Sequence, residues 1–430
     1  MSIPTVRRTS RAVTGASVES RMQSQPIAKP ASGASPGLFV VAMLLVGLNL
    51  RAPFISVAPI ASQIRADLGT TAAEVGLLTS LPVLCFGLAA PLALLVVRRV
   101  GAETAVVVCL FGIIVGSMLR SVGPFWMALA STLLIGLSIT IGNIVIPVLI
   151  RRDVSPRRAG LATGAYVSML NIGAVIVSVG TAPIAVVFGW RMALAAWTVL
   201  AVLAVGGWFT FLRRSTVQVR GPEPAPTSAP VAAFRNPLAW LVGLAFAGQA
   251  ASYYSVTAWL PTLLADERGL SAATAGVSSS VFQLCAVVGA LATPLLAARL
   301  RGWRTIAILG ALWVSLPVGL LLAPEQFLLF SVLGGVAQGG GFTAIFTVIV
   351  QISRTDRESS ALSAFVQGVG YIVAALGPPV LGLVHDASDG WTAPMLIVVG
   401  TTLTFSVLGI PAALRATALA RGVARERDAS

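Results

Sequence analysis

Lysine occurs once in the 430 residues, at Lys29, and histidine once, at His385. A Walker-type phosphate loop needs Gly-Lys-Ser/Thr, so no such ATPase site exists in the chain. The three cysteines, Cys85, Cys109 and Cys285, have no pair or histidine at zinc-ligand spacing. All three fall inside apolar stretches and imply no disulfide framework. No metal or other cofactor is therefore expected. Charge is the scarcest commodity, at 10% of residues, where a soluble domain carries about 25%. The fifteen acids avoid the centres of the apolar runs, which removes the acid, metal or nucleophile–base pair that a membrane-embedded enzyme would use. An enzyme is not expected.

What the chain has instead is hydrophobic sequence, 56% of it, in runs of about 20 residues that match a bilayer. Cutting at the charges predicts twelve transmembrane helices: 38–60, 74–97, 103–121, 124–150, 159–187, 191–212, 238–264, 273–298, 304–323, 326–351, 359–384 and 391–413. The fold class expected is an all-α polytopic membrane protein. Residues 1–36 are polar, carry five basic residues and show no apolar leader core, so they read as a disordered tail rather than a signal. The charged, Pro-containing segment 213–236 divides the spans into halves, 37–212 and 237–414, and residues 415–430 form a second tail.

The net charge of +14 raises nucleic acid as a partner, but its distribution excludes it. With a cytoplasmic N-terminus, the two tails and the even-numbered loops hold 24 of the 29 basic residues and 8 of the 15 acids. The opposite loops hold four basic residues (Arg65, Arg120, Arg191, Arg268) and seven acids. This is the positive-inside pattern, and it places both termini in the cytoplasm. Seven tryptophans near span ends form the matching aromatic belt. The excess of arginine over lysine, 28 to 1, points to a GC-rich bacterial genome and hence a cytoplasmic (inner) membrane. The expected partners are membrane lipid and a small-molecule substrate, with the chain acting as a monomer.

An offset of 200 residues aligns Gly69 with Gly269, Ala72 and Ala73 with Ala272 and Ala273, Gly76 with Gly276, Ser80 with Ser280, and Cys85 with Cys285. The register is ungapped across a loop and a helix, which indicates two parallel six-helix repeats. The stretches "GLNLRAPFISVAPI", "LLTSLPVLCFGLAAPLA", "GNIVIPVLIRRD", "GWRMALAAW" and "LSAFVQGVGYIVAALGPPVLGLVHDASDGW" resemble the cyanate/nitroimidazole transporter family (CynX/NimT-like) of the major facilitator superfamily. The resemblance covers all but the tails and the central segment. It implies the major facilitator fold, alternating access, and movement of a small polar or anionic solute. The superfamily's loop pattern between the second and third helices is altered here, with Arg98 where an acid usually stands in "VVRRVGAE".

One basic residue is left over by the topology. Arg51 lies about thirteen residues into the first span, roughly 20 Å along it at 1.5 Å per residue. A mid-span arginine costs roughly 2.5–3.5 kcal/mol on insertion scales, so a ligand or a partner must repay it. No acid is placed to do so; Glu74, Glu103 and Glu325 come nearest, each at a helix entrance. Pro53 leaves the Asn49 carbonyl without its helical donor and favours a kink there. Intramembrane amides sort onto helices 1, 4, 5, 7, 8, 10 and 11, and none falls on 3, 6, 9 or 12, the outer helices by resemblance. All four tyrosines also lie within spans. The expected cavity is lined by Arg51, Gln249, Tyr253, Gln338, Gln367 and Tyr371, joined by Asn49, Asn143, Asn171 and Tyr254. A guanidinium with amides and phenols suits a small planar anion, and holds a neutral nitrogen heterocycle less tightly.

Efflux of a drug-like molecule is the competing reading, and would favour an apolar aromatic pocket. Energy coupling has no deep acid or histidine to use. A proton would travel on the substrate, on water or through Glu74 or Glu325, and an unpaired Arg51 would favour exchange over net flux unless tyrosines or carbonyls relieved it.

Overall fold

The computed structural model describes residues 36–214, 235–353 and 355–428. The expected N-terminal tail, except its last residue, and nearly all of the 213–236 segment lie outside the described residues.

Among the described residues the helices group into twelve, α1–α12, and nine or ten stretches of them are long and apolar enough to cross a membrane. The first, α1, is interrupted: Pro36–Asn49, Ala52–Ile55, a tight turn Ala58–Ile60, and Ala61–Leu68. Helix α2 runs Ala72–Leu88 and Ala90–Val100, bent by 67° between them. Next come α3 (Ala102–Arg120) and α4 (Phe125–Asp153). Helix α5 (156–188) and helix α6 (190–214) meet at Gly189, whose φ of 80° breaks the helix and turns the chain. The hairpin is closed by Trp197 of α6, whose indole donates to Thr181 Oγ1 of α5 at 2.9 Å. The second half follows as α7 (Pro237–Arg268), α8 (Ala272–Arg299), α9 (Gly302–Leu322), α10 (Phe327–Ile352), α11 (Asp356–Ala374 and Gly377–Ser388) and α12 (Thr392–Asp428). Large apolar side chains such as Val186, Phe188, Leu295 and Leu322 point outward, an arrangement that only a lipid solvent makes favourable.

One boundary and two side chains differ from expectation. Helix α12 continues to Asp428, past the expected end at 413, because the Ala-, Leu- and Arg-rich sequence "ALRATALARGVARERD" keeps favouring helix after its apolar part stops. Arg120 is not a loop cation. It ends α3 with its side chain 2% exposed, donating to Ser56 Oγ of α1 at 3.5 Å. Glu103, expected at a helix entrance, is also buried and pairs with Arg152 of α4 at 2.6 Å.

The 200-residue repeat is visible atom by atom. Gly69 and Gly269 both end their helices with a left-handed φ of 62°, a conformation that suits glycine. Thr71 and Ser271 then cap α2 and α8, each accepting from the backbone N–H three residues on. Further along these helices, a methyl placed on Gly76 would lie 2.8 Å from the Pro378 carbonyl of α11, and one on Gly276 would lie 2.5 Å from the Ser178 carbonyl of α5. Both members of that pair of contacts are related by the same offset. Each half thus lends one helix to each seam.

These seams close one end of the molecule, the end away from the described termini. Arg65 of α1 meets Asp386 of α11 at 2.9 Å, and the Ala72 N–H of α2 donates to the other Asp386 oxygen at 2.8 Å. The indoles of Trp190 and Trp391 donate to Asp67 and Asp266 at 3.1 and 3.0 Å. Toward the opposite end, Gly164 of α5 has nothing within 4 Å of its side-chain position.

Candidate functional site

Proline chemistry sets the centre of the site. Pro53 cannot supply the N–H that a continuous helix would need, and α1 duly opens at Leu50 and Arg51, where Leu50 N–H turns back to Gly47 O at 3.2 Å. Arg51 sits on this break with φ −122° and ψ −30°, so its side chain leaves the helix surface and reaches across the seam. Its Nη1 donates to Asn171 Oδ1 of α5 at 2.8 Å and to the Tyr253 hydroxyl of α7 at 3.0 Å. The guanidinium carbon lies 5.4 Å from the Tyr253 ring centre. Among the described residues no acid forms an ion pair with it. Both partners are neutral.

The polar chain continues into the second half. Tyr253 donates to Gln283 Oε1 of α8 at 3.2 Å, and Gln283 Nε2 donates to Thr257 Oγ1 of α7 at 3.1 Å. Stacking fixes the tyrosine: its ring lies on Phe282 (6.1 Å), which lies on Trp313 of α9 (5.7 Å).

Beside the polar chain stands a closed ring of four aromatics, two from each half. Phe54 contacts Phe86 (6.2 Å), Phe86 contacts Tyr371 (5.6 Å), Tyr371 contacts Tyr254 (6.4 Å), and Tyr254 returns to Phe54 (6.2 Å). Three of these contacts are edge-to-face, the geometry that ring quadrupoles favour. Against this ring lies a cavity of about 10 Å³ bounded by Phe54, Ile55, Ala58, Thr79, Tyr254, Thr257 and Ala258, room for about one water molecule.

Arg51, Asn171, Tyr253, Tyr254 and Tyr371 of the expected set therefore come together. The others make separate contacts. Asn49 donates to Leu45 O at 2.9 Å and to Leu200 O of α6 at 3.1 Å, pinning α1 to α6. Asn143 accepts from Tyr166 at 3.4 Å between α4 and α5. Gln249 donates to the Gln338 carbonyl of α10 at 3.1 Å, and Gln367 to Ser363 O of its own helix at 3.3 Å. Gln283, Phe54 and Phe86 belong to the site and were absent from the expected lining. The amide of Gln283 carries the signal of a mid-span polar group; the two phenylalanines, in a chain with seventeen, carry none.

Residues 38–324 and 264–428 match the family described as Major Facilitator Superfamily. The chain is 32% identical over 386 residues to a 2-nitroimidazole transporter of Escherichia coli (strain K12), covering 88% of this chain and 96% of that one. It is 29% identical to the cyanate transport protein CynX of the same organism, covering 86% and 98%. In fold it is similar to the crystal structure of a mutant of the nucleoside transporter NupG, with a TM-score of 0.71 at 15% identity over 87% of this chain and 99% of that one.

Proposed function

From the premise that the chain belongs to the Major Facilitator Superfamily, and is thus a multi-pass secondary transporter of a small molecule and not an enzyme, we propose that its cargo is a small flat anion held by Arg51. The cargo class includes cyanate-like ions, small organic anions and, more weakly, nitrogen heterocycles. The observation that carries this reading is the partnering of Arg51. A mid-span guanidinium that, among the described residues, bonds the neutral groups of Asn171 and Tyr253 keeps a net positive charge that an anion neutralises. Charge-assisted, bidentate bonds to such an anion are about twice as strong as neutral ones.

The positive-inside distribution supports a bacterial inner-membrane setting with both termini in the cytoplasm. In that orientation the closed end faces outward. Transport then proceeds by rocking the halves about the Arg51 level, with the Gly76–Pro378 and Gly276–Ser178 seams parting to open the outer side.

A second reading is supported by the ring of Phe54, Phe86, Tyr254 and Tyr371. Those faces suit a conjugated or drug-like molecule, and efflux of such a molecule uses the same fold. A thermal-shift screen of the purified protein against small anions, aromatic acids and nitrogen heterocycles separates the two. A ligand at 100 times its Kd stabilises by about 2.7 kcal/mol. Hits confined to anions support the first reading, and hits confined to neutral apolar compounds support the second.

A further inference from the structure

We propose that Tyr253 is an internal stand-in for the cargo: its hydroxyl oxygen holds Arg51 across the seam until an anion takes the guanidinium from it. The inference rests on the reading of Arg51 as the anchor. Its grounds are the direction and the fixity of the hydrogen bonds. The Tyr253 proton is committed to Gln283 Oε1, so the phenol oxygen turns its lone pairs toward Arg51 and serves it as an acceptor. Gln283 is held in turn by its bond to Thr257. The Trp313–Phe282–Tyr253 stack keeps the ring in place. The acceptor is therefore a built feature of the second half, while Arg51 belongs to the first.

Three consequences follow. Arg51 has an acceptor from each half, Asn171 and Tyr253, both on Nη1, so its guanidinium is hydrogen-bonded with no cargo present. Net flux is then open to it, where an unpartnered arginine would restrict it to exchange. The phenol is neutral, so an anion outcompetes it and a neutral heterocycle gains far less, which makes Tyr253 a determinant of specificity. An arriving anion also unties the one described side-chain bond that joins Arg51 to the other half.

The test uses full-length protein with the three native cysteines replaced by alanine and a cysteine at Thr79, which lines the small cavity between α1, α2 and α7. Maleimide labelling of ligand-free protein then reports opening of the closed end. Tyr253→Phe and Arg51→Ala should each speed labelling, and the double variant should speed it no further, because both remove the same bond across the seam. Additive effects would overturn the proposal. In proteoliposomes, the ratio of net cyanate uptake to cyanate counterflow should fall about tenfold in Tyr253→Phe, the rate equivalent of one hydrogen bond to a buried charge. Gln283→Leu, which keeps the phenol oxygen but frees its proton, should lower that ratio by less than Tyr253→Phe does. An unchanged ratio in Tyr253→Phe, or an equal fall in Gln283→Leu, would overturn it. Cyanate binding that survives Arg51→Ala would instead count against the anchor, while the ligand-free labelling would still decide the Arg51–Tyr253 tie.

Discussion

Replacing Gly276 by alanine adds one methyl at the tightest of the paired seams, and its effect can be worked from the contact. That methyl would lie 2.5 Å from the Ser178 carbonyl oxygen, which is backbone and has no rotamer to give. Ordinary carbon contacts lie at roughly 3.5 Å or more, so α8 and α5 must separate by about 1 Å wherever the seam is shut. Overpacking of this kind costs about 1–3 kcal/mol. Glycine-to-alanine in a helix interior also gains about 1 kcal/mol of helix propensity, but it does so in every conformation. Only the closed-end state bears the clash. The population should shift away from that state by roughly 5- to 150-fold, with the fold intact. Maleimide labelling at a Thr79→Cys site, in the cysteine-free background, reads this directly. Gly76→Ala should act in the same direction through Pro378, and Gly164→Ala, which meets open space, should not act. Lowered thermal stability with unchanged labelling would refute the argument, because the seam would then be static packing.

Asp386→Ala removes both the ion pair to Arg65 and the acceptor of the Ala72 N–H. The ion pair is partly exposed and worth about 0.2–1 kcal/mol, so labelling at the Thr79 site should rise several-fold, less than for Gly276→Ala; a larger rise would mean that charge, not backbone packing, dominates the seal. Tyr371→Ala opens the aromatic ring, and loses about 0.5–1.5 kcal/mol per aromatic contact with a flat ring. Competition binding should show benzoate weakened about tenfold relative to cyanate, and equal losses for both would place the ring outside the cargo site.

How much of this was legible in the sequence depends on direction of view. The repeat was, because αL glycines and N-caps are local demands of the backbone, so Gly69/Gly269 and Thr71/Ser271 recur in register. Twelve helices were legible from charge placement, even where α7 is diluted by Gln249, Ser252, Tyr253 and Tyr254. The facing of each amide was not. Asn49 and Arg51 are two residues apart, and residues at that spacing on a helix do not share a face; Asn49 turns to α6 and Arg51 to the seam. Gln249 and Tyr253 do share a face, yet they stand one turn apart along the axis, and only Tyr253 is level with Arg51. Arg120 reads as a loop charge because "SVG" follows it, whereas burial between α3 and α1 is decided by packing that no local pattern encodes.

The central claim is that Arg51 anchors an anionic cargo, and anion binding to purified Arg51→Ala and Arg51→Lys tests it most directly. Isothermal titration with the strongest anion from the screen serves, alongside thermal unfolding to confirm that both variants fold. Truncating one partner of a buried, hydrogen-bonded charge pair costs about 2–5 kcal/mol, so binding to Arg51→Ala should weaken at least thirtyfold, by the rule of about tenfold per 1.4 kcal/mol. Lysine keeps the charge and loses the planar fork, so Arg51→Lys should recover only part of the affinity. Undiminished anion binding by folded Arg51→Ala would contradict the account.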